Sequence, residues 1–159
     1  MMKKRMLGRL NSLFKLAQGK EVEMETFEDR LTFQKTIYLL HSLGIEGLPK
    51  QSWYVKGPYS FNLATSGFMI WEAKERPTKE IPECEAEKIA PLREAFAPEM
   101  EDFDKIELLV SAVYVFKEEK IMDIENAAKW IMGKKPWYKP GETRQMLQKV
   151  LEKRRLFGF

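Results

Sequence analysis

The chain holds one histidine, His41, and one cysteine, Cys84, in 159 residues, and this scarcity narrows the chemistry open to it. A structural zinc needs about four Cys or His ligands, and an internal disulfide needs two cysteines, so both are excluded on ligand count. No serine or cysteine can be matched with a base partner from the sequence, which leaves a nucleophilic triad without support. Two acidic groups, Glu21, Glu23, Glu25, Glu28 and Asp29, then Glu99, Glu101, Asp102 and Asp104, look like metal or paired-carboxylate material. Both precede or open helical patterns, where negative charge suits the helix dipole, and that is the preferred reading. The expectation is a protein that is not an enzyme, with no catalytic residues, no metal and no cofactor.

Gln34, Tyr38 and His41 recur at helical spacing and form a polar strip inside an otherwise apolar segment. A recognition pocket or a proton-transfer site is one reading of the strip. The preferred one is packing, with Gln34 and His41 hydrogen-bonded to nearby backbone, because buried polar groups must be paired whatever their chemistry. Gly57-Pro58-Tyr59-Ser60 lacks the glycine repeats and the Lys-Ser/Thr ending of a phosphate loop and reads as a turn, with Ser60 capping the next helix.

Two groups of basic residues are candidates for nucleic-acid contact: Lys56, Lys74, Arg76 and Lys79, and the run Lys134, Lys135, Pro136, Trp137, Tyr138, Lys139. The run interleaves cations with large rings, as stacking on unpaired bases beside neutralised phosphates requires. The preferred alternative is an inter-helix loop in which Trp137 and Tyr138 seal the core and the lysines stay in water. The small helix after Ser60 carries Asn62, Thr65 and Ser66 but neither Arg nor Lys, so it is a poor reader of bases.

These residues must be carried by some scaffold. A hydrophobic share of 44% and a charged share of 32% describe an ordinary globular chain, and +3 net is far from the cationic bulk of a histone-like protein. The longest apolar run, Leu108 to Phe116, is less than half the ~20 residues that span a bilayer, and no signal-peptide stretch follows Met1 to Arg5, so a cytoplasmic protein with no membrane partner is expected.

Apolar periodicity predicts a first amphipathic helix on Leu7, Leu10, Leu13, Phe14 and Ala17, stopped at Gly19. A central helix follows over 27–43, apolar nearly all round. Gln51 to Val55 reads as a short strand. A brief helix from Phe61 closes at Gly67, Phe68 to Ala73 forms a strand, and 79–82 returns to make a hairpin whose tip carries Lys74, Arg76 and Lys79. Four helices complete the pattern: 85–96 interrupted by Pro91, 104–117, 124–132 stopped by Gly133, and about 142–155. A strand over Leu108 to Phe116 is the weaker alternative there. Leu156 and Phe157 are expected to dock on their own domain or on a second copy, which would make a homodimer.

The segment from Leu31 to Leu63 resembles the uncharacterised YwgA-like proteins of bacteria and archaea, whose pattern is a Leu-x-x-Gln-Lys helix, an aromatic strand and Gly-Pro-Tyr-Ser. It is more distantly similar to the Panacea antitoxin domain of phage-associated proteins. Gln34, Lys35, Tyr38, Trp53, Tyr54, Gly57, Pro58, Tyr59, Ser60 and Leu63 carry the match, about a fifth of the chain, with Lys135-Pro136 as a companion signal. The resemblance implies a mainly α fold with a small β element, a winged-helix-like core over about 1–83 and added C-terminal helices over about 85–159, all in one domain. The functional expectation is a non-catalytic regulatory binding module that contacts nucleic acid. The alternative is a protein-binding adaptor of antitoxin type, with Trp53, Tyr54, Tyr59, Leu156, Phe157 and Phe159 as contact area.

Overall fold

The computed structural model describes residues 2–54 and 57–159. Among them run seven helices and one two-stranded antiparallel sheet: α1 (Met2–Gln18), α2 (Phe27–Ser42), β1 (Ser52–Tyr54), β2 (Gly57–Tyr59), α3 (Phe61–Glu72), α4 (Glu83–Glu101), α5 (Phe103–Lys117), α6 (Ile124–Lys134) and α7 (Pro140–Glu152). A short 3-10 helix, Arg154–Phe157, follows α7. None of these helices is long and apolar enough to cross a membrane.

The two helices read as buried are the centre of the structure. A capping box at Thr26 and Asp29 starts α2, which then buries Leu31, Phe33, Ile37, Tyr38, Leu39 and Leu40. It packs against α1, α3 and α5. Asp102 accepts from the Lys105 amide to open α5, whose residues from Ile106 to Val113 are all buried, so Leu108 to Phe116 is helix and not strand. The apolar side chains of every helix join one connected cluster.

Gly67 does not stop α3, which runs on through Trp71 where a strand is predicted. A methyl at Gly67 would stand 2.7 Å from Cε of Met24 and 3.0 Å from Cε2 of Phe33, so the glycine marks a close approach of α3 to α2 and the 19–26 loop. The return strand over 79–82 is also absent. Residues 73–82 form an irregular strap laid on α1: Asn11 Nδ2 donates to Pro77 O at 2.9 Å, the Lys79 amide donates to Ser12 Oγ at 2.9 Å, and a methyl at Gly8 would stand 2.9 Å from Thr78 O. The hairpin that does form lies before α3, where Gly57 and Pro58, read as a turn, pair with β1.

In the second half α4 continues through Pro91 and bends at Phe96, whose φ of −130° leaves helical space. Pro98 then sits in the first turn of the following segment, where its missing N–H is harmless. Likewise α6 passes Gly133 and ends at Lys134, because Lys135, the residue before Pro136, is pushed out of the α region. At the C-terminus Phe157 is fully buried, 6.0 Å from Phe96 between ring centroids, while Phe159 packs 5.6 Å from Phe116. Lys117 Nζ donates to Phe157 O at 2.7 Å and Ser42 O at 2.6 Å, so the tail is docked on its own chain with Arg154 and Arg155 exposed.

Candidate binding cleft

The β1–β2 hairpin is clamped to α2 by one glutamine. Gln34 Nε2 donates to Ser60 O at 2.8 Å and its Oε1 accepts from the Ser60 amide at 3.0 Å, so the side chain mimics a strand partner. Gln51 closes the clamp by donating to Gln34 O at 2.9 Å and Gln34 Oε1 at 3.0 Å. Ser60 Oγ accepts from the Leu63 amide at 3.2 Å, the N-cap expected for α3. The packing reading of Gln34 therefore holds. It fails for His41, whose buried Nδ1 finds no partner among the described residues. Tyr38 Oη is alike unpaired, and burial, aided by the nearby Glu118 and Tyr114, pushes that phenol well above its usual range.

Beneath the hairpin lies a buried charge cluster. Lys135 Nζ stands 3.0 Å from Glu107 Oε1, with side-chain exposures of 1% and 5%. Tyr138 Oη has two acceptors within reach of its single proton, the other carboxylate oxygen at 3.1 Å and Asp104 O at 2.9 Å; burial and the facing carboxylate raise its pKa far above that of a free phenol. The Lys135 ammonium also lies 5.3 Å from the Trp53 ring, within cation–π range. Lys35, buried on α2, points to the same place: a methyl at Gly57 would meet Nζ of Lys35 at 3.5 Å, Nζ of Lys135 at 3.7 Å and the Trp53 ring at 3.9 Å. Gly57 is favoured by its backbone angle, a φ of +112°, while these contacts are ordinary van der Waals distances that a methyl could meet. The cluster ties α2, α5 and the α6–α7 loop to the hairpin.

Above the hairpin the surface is of the opposite kind. Phe27, Leu31, Tyr54, Gly57, Pro58, Tyr59 and Phe61 line an apolar cleft of about 310 Å³. Tyr59 and Phe61 meet edge to face at 5.2 Å, and Tyr54 stands 5.8 Å from each of them. Even so Tyr54, Phe27 and Phe61 remain 54%, 56% and 68% exposed. Large rings seldom stay this open in a group, since full burial of each is worth about 1.5 to 3 kcal/mol and more than half of each surface is still in water.

The nucleic-acid candidates are scattered by the fold. Lys135 and Tyr138 are buried on Glu107, whereas Trp137, expected to seal the core, is 52% exposed, so the loop inverts the predicted roles of its second lysine and its tryptophan. Lys134 lies 5.5 Å from the Trp130 ring, and Lys139 is exposed at the start of α7. Lys74, Arg76 and Lys79 sit on the strap, not on a hairpin tip. Arg76 donates to Val22 O at 2.9 Å and Trp71 O at 3.3 Å. Lys56 lies outside the described residues.

Of the adaptor candidates, Tyr54 and Tyr59 line the cleft, whereas Trp53 packs between Tyr114 and Trp130 at 4.8 and 4.9 Å. Phe157 is lost to the core. Leu63 is buried at the base of α3. Phe27, Leu31, Phe61 and Glu107 are site residues that no pattern in the sequence marks. Lys135 lies in a basic run that reads as solvated, and nothing in the sequence points to its partner 28 residues away. Comparisons with protein-family models, with curated proteins and with solved structures give no match to this chain.

Proposed function

We propose that the chain is a non-catalytic binding module that takes one or two large apolar side chains of a partner protein into the cleft between α2, the hairpin and α3. The observation that carries this reading is the exposure of Phe27, Tyr54 and Phe61 around a concave apolar surface held on a buried ionic base. Aromatic anchors in a pre-formed pocket are where interface energy concentrates, and ordering them in advance lowers the entropy lost on binding. A volume of about 310 Å³ is at the small end of ligand pockets, enough for a leucine or a ring and part of a neighbour.

Base stacking on the same rings is the competing use. It is disfavoured because no described lining residue is cationic, so phosphates beside the stacked bases would stay unneutralised. The residues shared with the YwgA-like and Panacea patterns surround the cleft and its base, which supports an adaptor of that general kind. A winged-helix-like relationship would rest on α2, the hairpin and α3, with the hairpin placed between the helices.

The test is to pan a displayed random-peptide library against the whole protein. Enrichment of peptides with a large aliphatic or aromatic residue, lost with Phe61→Ser while the melting temperature is kept, supports the cleft. No enrichment, or enrichment indifferent to Phe61 and Tyr54, overturns it.

A further inference from the structure

The strap that replaces the predicted hairpin builds a second surface, at the other end of α3. Lys4 and Arg5 from α1 and Arg76 and Lys79 from the strap line an open trench of about 620 Å³, completed by Glu75, Pro77 and Thr78. Beside the Glu75 carboxylate, Arg76 also pairs with Glu21 at 3.5 Å, which leaves Lys4, Arg5 and Lys79 as the cations the trench offers to a polyanion. The trench is shaped by fixed parts. Arg76 is held by two backbone carbonyls, and the strap is pinned to α1 through Asn11, Ser12 and the close approach at Gly8. Lys4, Arg5 and Lys79 are exposed.

From this arrangement we infer that the trench binds the phosphate backbone of a nucleic acid without reading its bases. An acidic protein segment is the other polyanion to weigh. Protein interfaces concentrate their energy in aromatic and apolar anchors, and this lining has none beyond Pro77. Phosphate contacts need no such anchor: Lys and Arg side chains, hydroxyls such as Thr78 and backbone amides suffice. Arg76 is already engaged by Val22 O, Trp71 O and Glu21, and the exposed Lys4, Arg5 and Lys79 act as solvated charges, so the binding is electrostatic and indifferent to sequence.

The trench is separate from the aromatic cleft. Phe61 at the start of α3 belongs to the cleft, and Ala73 at its end begins the strap, twelve residues or about 18 Å along the helix. A partner protein and a nucleic acid can therefore be held together.

Fluorescence anisotropy of a labelled mixed-sequence duplex DNA, titrated with the full chain at several salt concentrations, tests the inference. Binding in the range of about 1 to 100 μM at low to moderate salt is expected, with log K falling against log salt at a slope of about −3. Lys4→Gln with Lys79→Gln should weaken low-salt binding at least tenfold and make the slope shallower by about two. Lys153→Gln with Arg154→Gln, in the exposed basic tail, should leave both unchanged. Failure to bind at low salt overturns the inference. So does binding that follows the tail variants instead of the trench variants, or a poly-glutamate peptide that binds the trench more tightly than the duplex does.

Discussion

Lys135 and Glu107 form an ion pair at 3.0 Å that is almost completely withdrawn from water, and the phenol of Tyr138 completes the carboxylate's partners. Such a pair is a weak source of net stability, because desolvation offsets its attraction, but breaking it on one side leaves a bare buried charge. Glu107→Ala should therefore cost about 3 to 5 kcal/mol by chemical denaturation. Replacing both residues, Glu107→Leu with Lys135→Met, should recover a large part of that loss. A single variant as stable as the parent would show that the pair is not desolvated in solution.

Gly57 and Gly47 both adopt positive φ, but +76° at Gly47 lies near the left-handed well, whereas +112° at Gly57 lies far outside it. Gly57→Ala should accordingly destabilise by about 2 kcal/mol or more, and Gly47→Ala by about 1 kcal/mol. Equal shifts in Tm in thermal melts of the two variants would argue against additional backbone strain at Gly57.

Gly8 reverses the usual helix rule. In an exposed helix Gly→Ala gains about 1 kcal/mol, yet a methyl here would stand 2.9 Å from Thr78 O and 3.0 Å from Thr78 C, backbone atoms that yield only if the strap moves. The expected sign is destabilisation. A stabilised Gly8→Ala variant would mean that the strap does not rest on α1.

Arg9 donates to both carboxylate oxygens of Glu85, at 2.7 and 2.8 Å, and this partly buried contact holds the Glu85 carboxyl below its ordinary range. A folded-state pKa lowered in this way contributes stability that is present above the unfolded value of about 4.3 and is lost as pH falls through the lower folded value. Glu85→Gln should cost roughly 1.5 kcal/mol at pH 7 and much less at pH 3. A cost that does not change with pH would assign the contact to packing.

How far the sequence reveals this architecture depends on how local each signal is. Helices α1, α2, α5 and α6 are legible because their apolar spacing is local, and so are the caps that open α5 at Asp102 and α6 at Asp123, where the carboxylate accepts from the Asn126 amide. The α3 error has a nonlocal cause: Gly67 is needed by Met24 and Phe33, more than thirty residues upstream, and not by a local turn. The trench has no signature in the sequence for the same reason, since Lys4 and Arg5 meet Lys79 only once the strap has folded onto α1. The tail was readable from the cost of exposing Phe157, but its partners Phe96 and Lys117 were not.

The central claim is that the exposed rings of the hairpin and α3 bind a partner's apolar side chain. Its most direct measurement is the affinity of a cleft-selected peptide for the parent protein and for Phe61→Ala, by calorimetry at low and at high salt. The account predicts a loss of at least tenfold on removing this one ring, with the folded state unchanged and little dependence on salt. An affinity that survives the loss of Phe61, or that collapses as salt is raised, would contradict it.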